Sequence, residues 1–508
     1  MKNKQWMSVL LGLTLGGFNF AAEAQTRPNI IFLMTDDQSI HSMGCYGNGD
    51  VQTPNLDRLA TDGMIFDRHY ATTAICMGSR ATVMTGLLEY RSGTNFMHGH
   101  MQKSTWQKSY PVLLRQAGYR TAFAGKFGFD IQEVPGTKTL PVPSHDFDVW
   151  KGGEGQTSYS TKKNESMKEY ADEYPHCTLS YGAFGRDFIK ESAQTGQPFC
   201  LSISFKAPHL PRNADNRFNK LYKDKIFTKP DNFGRENGLH FAKQSHKTRG
   251  YNAFEDRDYD KDYNRVIAQY YRQVYGVDVA VGMIRDALKE AGIDQNTVIL
   301  YTSDNGYFCG AHGFGLKALP YEEASRVPMI IYDPRHSNSG KGLRSATLTG
   351  NVDIAPTLLD LAGCSIPEGL DGRSMLSVYE KPTATIHESL PLINVWGVSA
   401  SHALTVVTKD HKYINWSYAG ENYEVTEELY DLNRDSLELV NMAQHPEAKE
   451  TLKKMQKLYD GHVAHWGQQA VDYNSYQQFG MLFDRTKTWA EKEPFVVELD
   501  RASHQSVK

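Results

Sequence analysis

"NIIFLMTDDQ", residues 29–38, decides the fold. Ile30 to Met34 is unbroken apolar sequence, too short for a buried helix and without the alternation of a half-exposed strand. That pattern belongs to a strand covered on both faces, as in a parallel sheet flanked by helices. Asp36 and Asp37 follow at once. Ligands of open α/β sheets bind beyond the carboxyl ends of the strands, so an acidic pair at that place is a candidate site.

Outward from this strand the same alternation continues. "NLDRLATDGM" has helical spacing, "SYPVLLRQAGY" (109–119) reads as a helix ending at Gly118, and "RTAFAGK" as the next strand. "PFCLSISF" (198–205), "TVILYTSDN" and "VPMIIYD" are further buried strands. A long helix, "NRVIAQYYRQVYGVDVAVGMIRDALKEAG", closes at Gly292, and "NVDIAPTLLDLAG" is a helix with Gly363 past its end. The expectation is an α/β fold with a mostly parallel central sheet between helices. Residues 131–190 and 212–263 are polar and Tyr- and Lys-rich with little periodicity, as expected of insertions that shape a pocket above the strand ends. Beyond about residue 380, "HALTVVTKDHKYINWSY" and "ENYEVTEELYDL" suggest antiparallel strands, and "EAKETLKKMQKLYDGHVAHWG" a helix. The reading is a large domain over 25–380 and a smaller C-terminal α+β domain over 381–508.

The 508-residue chain is 40% hydrophobic and 22% charged, which suits a large core. A net charge of -4 gives no overall basic footprint for nucleic acid, so an anionic ligand needs a local cationic site. Residues 1–24 combine Lys2 and Lys4, an apolar run and Ala22-Glu23-Ala24, the pattern of a cleaved signal peptide. The apolar run is short and interrupted by Gly16 and Gly17, so no stable membrane span is expected, and the mature protein is expected in the periplasm or secreted. Six cysteines in so long an exported chain permit disulfides but cannot be its framework.

The chemistry-bearing residues gather at one sheet edge. Asp36-Asp37 ends the first strand and Asp304-Asn305 ends "TVILYTS". Either pair alone reads as an Asx turn. Two pairs in the same place offer three carboxylates and an amide oxygen, a shell for a hard cation, Ca²⁺ more readily than Mg²⁺. Lys126 ends "AGK", Lys317 follows in "HGFGLK", and with Arg80 they can clamp an anion beside that cation. His209, in "KAPH" after its own strand, can serve as general acid. Cys76 opens "CMGSRATVMTG" (76–86) at a strand-to-helix junction, where a helix N-terminus favours an oxyanion. Arg80 is one turn further on the same face, and Gly86 ends the helix.

The ordered set "PNIIFLMTDDQ", "CMGSRATVMTG", "GKFG", "APH", "SDNG…HG…K", "VDIAPTLLDLAG" and "LYDLNRDSLELVNMA" resembles type I sulfatases of the alkaline phosphatase superfamily, and covers nearly all of the mature chain. The resemblance implies that Cys76 is oxidised by a maturation enzyme to formylglycine (3-oxoalanine). One hydroxyl of the aldehyde hydrate would attack sulfur, and the other would later expel sulfate. It further implies one Ca²⁺ held by Asp36, Asp37, Asp304, Asn305 and modified Cys76, sulfate contacts from Lys126 and Lys317, and protonation of the leaving group by His209. The implied substrate is a sulfated oligosaccharide or polysaccharide. Two positions depart from the family pattern: Gly78 stands in place of the Cys-x-Pro-x-Arg proline, and Gly128 in place of the G-K-x-H histidine. His98, His100 and His312 are candidates to supply the missing imidazole or to contact substrate. The rival readings are a phosphate or phosphonate ester hydrolase of the same superfamily and a glycan-binding protein on a degenerate sulfatase fold.

Overall fold

The computed structural model describes residues 27–420 and 422–506. The segment read as a signal peptide, 1–24, lies outside the described residues. Eight strands form the main sheet: β1 (Asn29–Thr35), β2 (Met64–Tyr70), β3 (Arg120–Lys126), β4 (Val149–Gly153), β5 (Phe199–Ser204), β6 (Thr297–Ser303), β7 (Met329–Tyr332) and β8 (Leu343–Gly350). Their order is β8-β2-β7-β6-β1-β5-β3-β4. All neighbours are parallel except β7, which runs antiparallel to both β2 and β6. The expected mostly parallel α/β sheet is present.

The reason β1 lacks alternation is visible in its packing. Ile30, Phe32 and Met34 enter one core with helices α2 (Cys76–Thr85), α3 (Tyr110–Gln116) and α7 (Ile354–Leu361). Ile31 and Leu33 enter another with α1 (Pro54–Asp62), α4 (Cys177–Ala193) and α6 (Tyr263–Glu290). Both faces are buried, so both residue sets are apolar.

The segment 131–190 is less irregular than its sequence suggested. β4 within it pairs with β3 at the sheet edge, and α4 begins at Cys177 and lies against α6. The helical period of α4 is blurred because it is enclosed on most sides, and its buried residues include Thr178, Ser180, Gly182 and Gly185. A Cβ at Gly182 would come within 2.9 Å of Ala280 Cβ, so the close approach of the two helices needs a residue without one. In 212–263 one longer helix forms, α5 (Arg249–Asp256).

The C-terminal strands β9 (Leu390–Asn394), β10 (Ala403–Val407), β11 (His411–Trp416) and β12 (Thr426–Asp431) make an antiparallel sheet in sequence order. Helices α8 (Lys449–Gln469), α9 (Tyr476–Phe483) and α10 (Trp489–Ser506) complete this part. Its core is continuous with the large sheet's flank, since Tyr70, Tyr90 and Val352 pack with Leu404, Trp416 and Trp466. Among the described residues no helix is long and apolar enough to cross a membrane, and all six cysteines are free thiols.

Candidate functional site

Parallel strands deliver their carboxyl ends to one edge. β1 ends at Thr35 beside Ser303 of β6, so Asp36-Asp37 and Asp304-Asn305 emerge side by side. The Asp37 amide donates to Asp304 Oδ1 (3.2 Å), and Asn305 Nδ2 donates to Asp37 Oδ1 (2.8 Å). Asp37 adopts a left-handed backbone (φ 67°), a conformation Asp tolerates better than most residues. Tyr270 of α6 holds that turn by donating to the Asp37 carbonyl (2.7 Å).

Cys76 is the first residue of α2, preceded by extended Ile75, and the helix ends on left-handed Gly86. Cys76 Sγ donates to Asp36 Oδ1 (3.3 Å) and accepts from Lys317 Nζ (2.7 Å). Lys317 Nζ also pairs with Asp37, and Lys126 Nζ pairs with Asp36 Oδ2 (2.6 Å). Arg80 is wholly enclosed. Its Nε contacts Asp304 Oδ2 (2.8 Å), its Nη2 Asp36 Oδ2 (3.4 Å), and its Nη1 donates to the Lys126 carbonyl (2.7 Å) and Ser204 Oγ (2.5 Å). His209 follows β5 across the strand ends. Its Nδ1 lies 2.6 Å from the Leu210 carbonyl, which assigns the proton there, and Nε2 faces Asp37 Oδ2 at 3.8 Å. The structure thus brings together Asp36, Asp37, Cys76, Arg80, Lys126, His209, Asp304, Asn305 and Lys317 at one sheet edge.

The electrostatics follow from burial and from this packing of charges. Burial works against ionisation of Asp36, yet Lys126, then His209, Arg80 and Lys317, hold its carboxyl well below the usual carboxylate range. Burial and the charge of Asp36 push Asp304 up. Burial, then Asp36, pushes the Cys76 thiol up to about 12. An unaltered thiol there is a poor nucleophile at neutral pH, because reactive cysteines have depressed values.

The residues suit a hard cation. Ligand atoms of Asp36, Asp37, Cys76 and His209 lie within 4.8 Å of one another. Asn305 Oδ1 is buried with no hydrogen-bond partner among the described residues, an oxygen left over beside two carboxylates. Carboxylate and amide oxygens are the donors that calcium takes.

The site opens into a cleft of about 1220 Å³ that reaches Asp37, Cys76, His209 and Lys317 at its floor. Of the three other histidines singled out above, His98 lines this cleft, with Nε2 at 2.5 Å from the Val395 carbonyl. His100 and His312 do not line it. His100 lies 3.6 Å from Asp130 at the surface. His312 is fully enclosed between Asn232, the Asn237 carbonyl and Glu323. Gly128 has φ 89°, and a Cβ there would lie 2.5 Å from Arg80 Cδ. The Arg80 side chain thus occupies the space that a side chain at 128 would need.

Several participants escaped the sequence reading. Ser79 donates to the Asp304 carbonyl and accepts from Asn351 Nδ2 (2.9 Å), tying α2 to the start of α7. Ser204 meets Arg80 as described. Their signal was position alone: Ser79 inside the Cys76–Arg80 spacing, Ser204 at a strand end. Gln156, Trp396 and Arg249 line the cleft without any periodic or motif signal.

The sulfatase family model matches residues 28–364, and a model described as N-sulphoglucosamine sulphohydrolase, C-terminal, matches residues 310–463. The chain belongs to the sulfatase family and is a sulfuric ester hydrolase. It is 29% identical to the N-acetylglucosamine-6-O-sulfatase of Bacteroides thetaiotaomicron, over 86% of each chain. A protein solved in complex with its substrate D-glucosamine-2-N,6-O-disulfate superposes with a TM-score of 0.70 at 27% identity, covering 86% of this chain and 98% of the other. The phosphonate monoester hydrolase of Agrobacterium radiobacter shares the fold (TM-score 0.69, 20% identity, 86% and 96% covered).

Proposed function

We propose that this sulfatase removes O-sulfate from carbohydrates, working in the periplasm or outside the cell, with formylglycine at position 76 and one bound Ca²⁺. The observation that carries the reading is the cluster of Asp36, Asp37, Cys76 and His209, of which Asp37, Cys76 and His209 line a large cleft, with Lys126 paired to Asp36 and Lys317 to Asp37. Two of the named relatives, the N-acetylglucosamine-6-O-sulfatase and the protein bound to D-glucosamine-2-N,6-O-disulfate, point to glucosamine sulfates as the first substrates to test.

Asp36, Asp37, Asp304 and Asn305, with the modified residue 76, would hold the calcium ion, which supplies fixed positive charge at the sulfate. The hydrated aldehyde at 76 supplies a nucleophilic oxygen and a second hydroxyl for releasing sulfate. The chain's own residues do the rest. Lys126 and Lys317 bind sulfate oxygens, and their charge offsets what gathers there during transfer. Arg80 keeps Asp304 and Asp36 in place from inside the protein, so the carboxylates are aimed before substrate arrives. His209, protonated, keeps its Nδ1–H on the Leu210 carbonyl and gives its Nε2 proton to the departing sugar oxygen.

The test is peptide mass spectrometry of active protein together with sulfate release from sulfated glucosamines and from matched aryl sulfate and aryl phosphate. We expect an aldehyde or its hydrate at 76, calcium in metal analysis, and strong preference for sulfate. Full activity with an intact thiol at 76, or faster turnover of the phosphate, overturns the reading.

A further inference from the structure

Above its charged floor the cleft has two unlike walls. One is apolar: Phe96, Met97 and Val398 are exposed at 44%, 43% and 49%, beside Trp396. A face of that kind, left open to water, suits the C–H surface of a sugar ring better than it suits solvent. The other wall is the helix α5. Arg249 is its first residue and Arg257 follows its last, so the two edge the cleft over a helix length of about 12 Å.

Both arginines are exposed, and neither side chain has a hydrogen bond or ion pair among the described residues. Of the acidic neighbours, Glu255 pairs with Arg235 (3.2 Å) and Asp258 with Arg265 (2.7 Å), while exposed Asp256, next to Arg257 in the chain, makes no ion pair among the described residues. Two unpaired guanidinium groups therefore face a cavity whose size exceeds the roughly 300–1,000 Å³ of a single small-molecule site. Lys247 adds a third cation to this rim, and Asp500 is an acidic group on it. The guanidinium fork matches the paired oxygens of sulfate and carboxylate.

We propose, resting on the sulfatase reading above, that Arg249 and Arg257 form a second anion site that takes a sulfate or carboxylate borne elsewhere on the same saccharide. The sulfate to be cleaved enters between Lys126 and Lys317, the sugar lies against Phe96 and Trp396, and the next negative group meets α5. The enzyme thereby selects saccharides carrying at least two charges. The contacts are exposed, so the selectivity is moderate, acts partly through encounter rate, and weakens with salt.

The experiment uses the full mature protein, an Arg249→Ala/Arg257→Ala double variant and an Arg249→Lys/Arg257→Lys double variant. The probes are a disaccharide bearing one sulfate ester and one carboxylate, and the same disaccharide with the carboxylate reduced to an alcohol. At low salt we expect the alanine pair to raise KM for the doubly charged disaccharide about five- to tenfold, the scale of two exposed ion pairs. KM for the reduced disaccharide should move less than about twofold, and the lysine pair should recover most of the loss. Raising salt to about 300 mM should erase the wild-type preference. Equal shifts on both disaccharides, or none, overturn the second site while leaving the sulfatase reading intact. Wild type that turns over aryl sulfate but releases sulfate from neither disaccharide overturns the second site and the carbohydrate part of the reading, while the sulfatase class stands.

Discussion

At the residue scale, the mechanism puts one proton on one atom. His209 has its Nδ1 committed to a carbonyl, so Nε2 is the position that can serve a leaving group. A sugar alkoxide needs a proton as it departs, whereas an acidic phenoxide leaves almost unaided. General acid catalysis contributes about 10²–10⁴-fold where it is needed. We therefore expect His209→Ala to lower kcat/KM by about that factor on a sulfated sugar and by much less on an activated aryl sulfate. The comparison is made on protein whose residue 76 conversion and folding are intact. Equal losses on the two substrates would assign the proton to another residue. Among the histidines considered, His98 is the one that shares the cleft, while enclosed His312 has no route to substrate.

At the element scale, α2 shows what a departure from the family pattern requires. Gly78 lies in its first turn, where the amide of residue 78 has no intrahelical acceptor, so proline or alanine would suit the backbone. The obstacle is lateral: a Cβ at 78 would come within 2.9 Å of both Glu89 Oε2 and Thr73 Cγ2. Glu89 is not free to withdraw, because its other oxygen accepts from Asn95 Nδ2 (2.8 Å) and Tyr476 OH (2.7 Å). This carboxyl thus packs against α2 while bonded to Asn95, just before Phe96–His98, and to Tyr476 of α9. We expect Gly78→Ala to cost about 1–3 kcal/mol by overpacking. A double-mutant cycle with Glu89→Ala should return a favourable coupling of about 1 kcal/mol, read from denaturant unfolding. Additive effects would show that Thr73, and not Glu89, sets the limit. The same element explains what was legible. Cys76, Arg80 and Gly86 could be read because a helix start, one turn and a stop have fixed spacing. The cleft walls could not, because Phe96, Arg249 and Trp396 meet only through tertiary packing between distant segments.

At the scale of the whole molecule, the doubly covered strands β1, β5 and β6 were readable as apolar runs. β2 and β8 were not, since "MIFDRHY" and "LRSATLTG" carry charges whose partners lie far away in sequence: Arg344 pairs with Asp67, and Arg68 donates to the Leu432 carbonyl (2.9 Å). The seam between the large sheet's flank and the C-terminal sheet has the same character. Glu428 of β12 is fully buried there. It accepts from the Ala242 amide (2.6 Å) and Tyr321 OH (3.1 Å) across the seam, and from Tyr430 OH (3.0 Å) on its own strand. Burial raises its carboxyl from 4.5 to about 7, more than these donors lower it. A group whose folded value lies above its unfolded one favours folding fully below the unfolded value. That contribution is lost as pH rises through the folded value. The window is therefore about pH 4.5 to 7, and the amount is on the order of 3 kcal/mol for this enclosed group. Buried His69 and half-buried His462, lowered to about 4, act in the opposite sense as pH falls, so total stability alone does not isolate the effect. Comparison with Glu428→Gln does. The amide does not titrate, so wild type should lose stability relative to the variant between pH 5 and pH 8 in unfolding measurements at fixed salt. A constant difference across that range would mean that Glu428 remains ionised in the folded protein, with its three donors outweighing its burial.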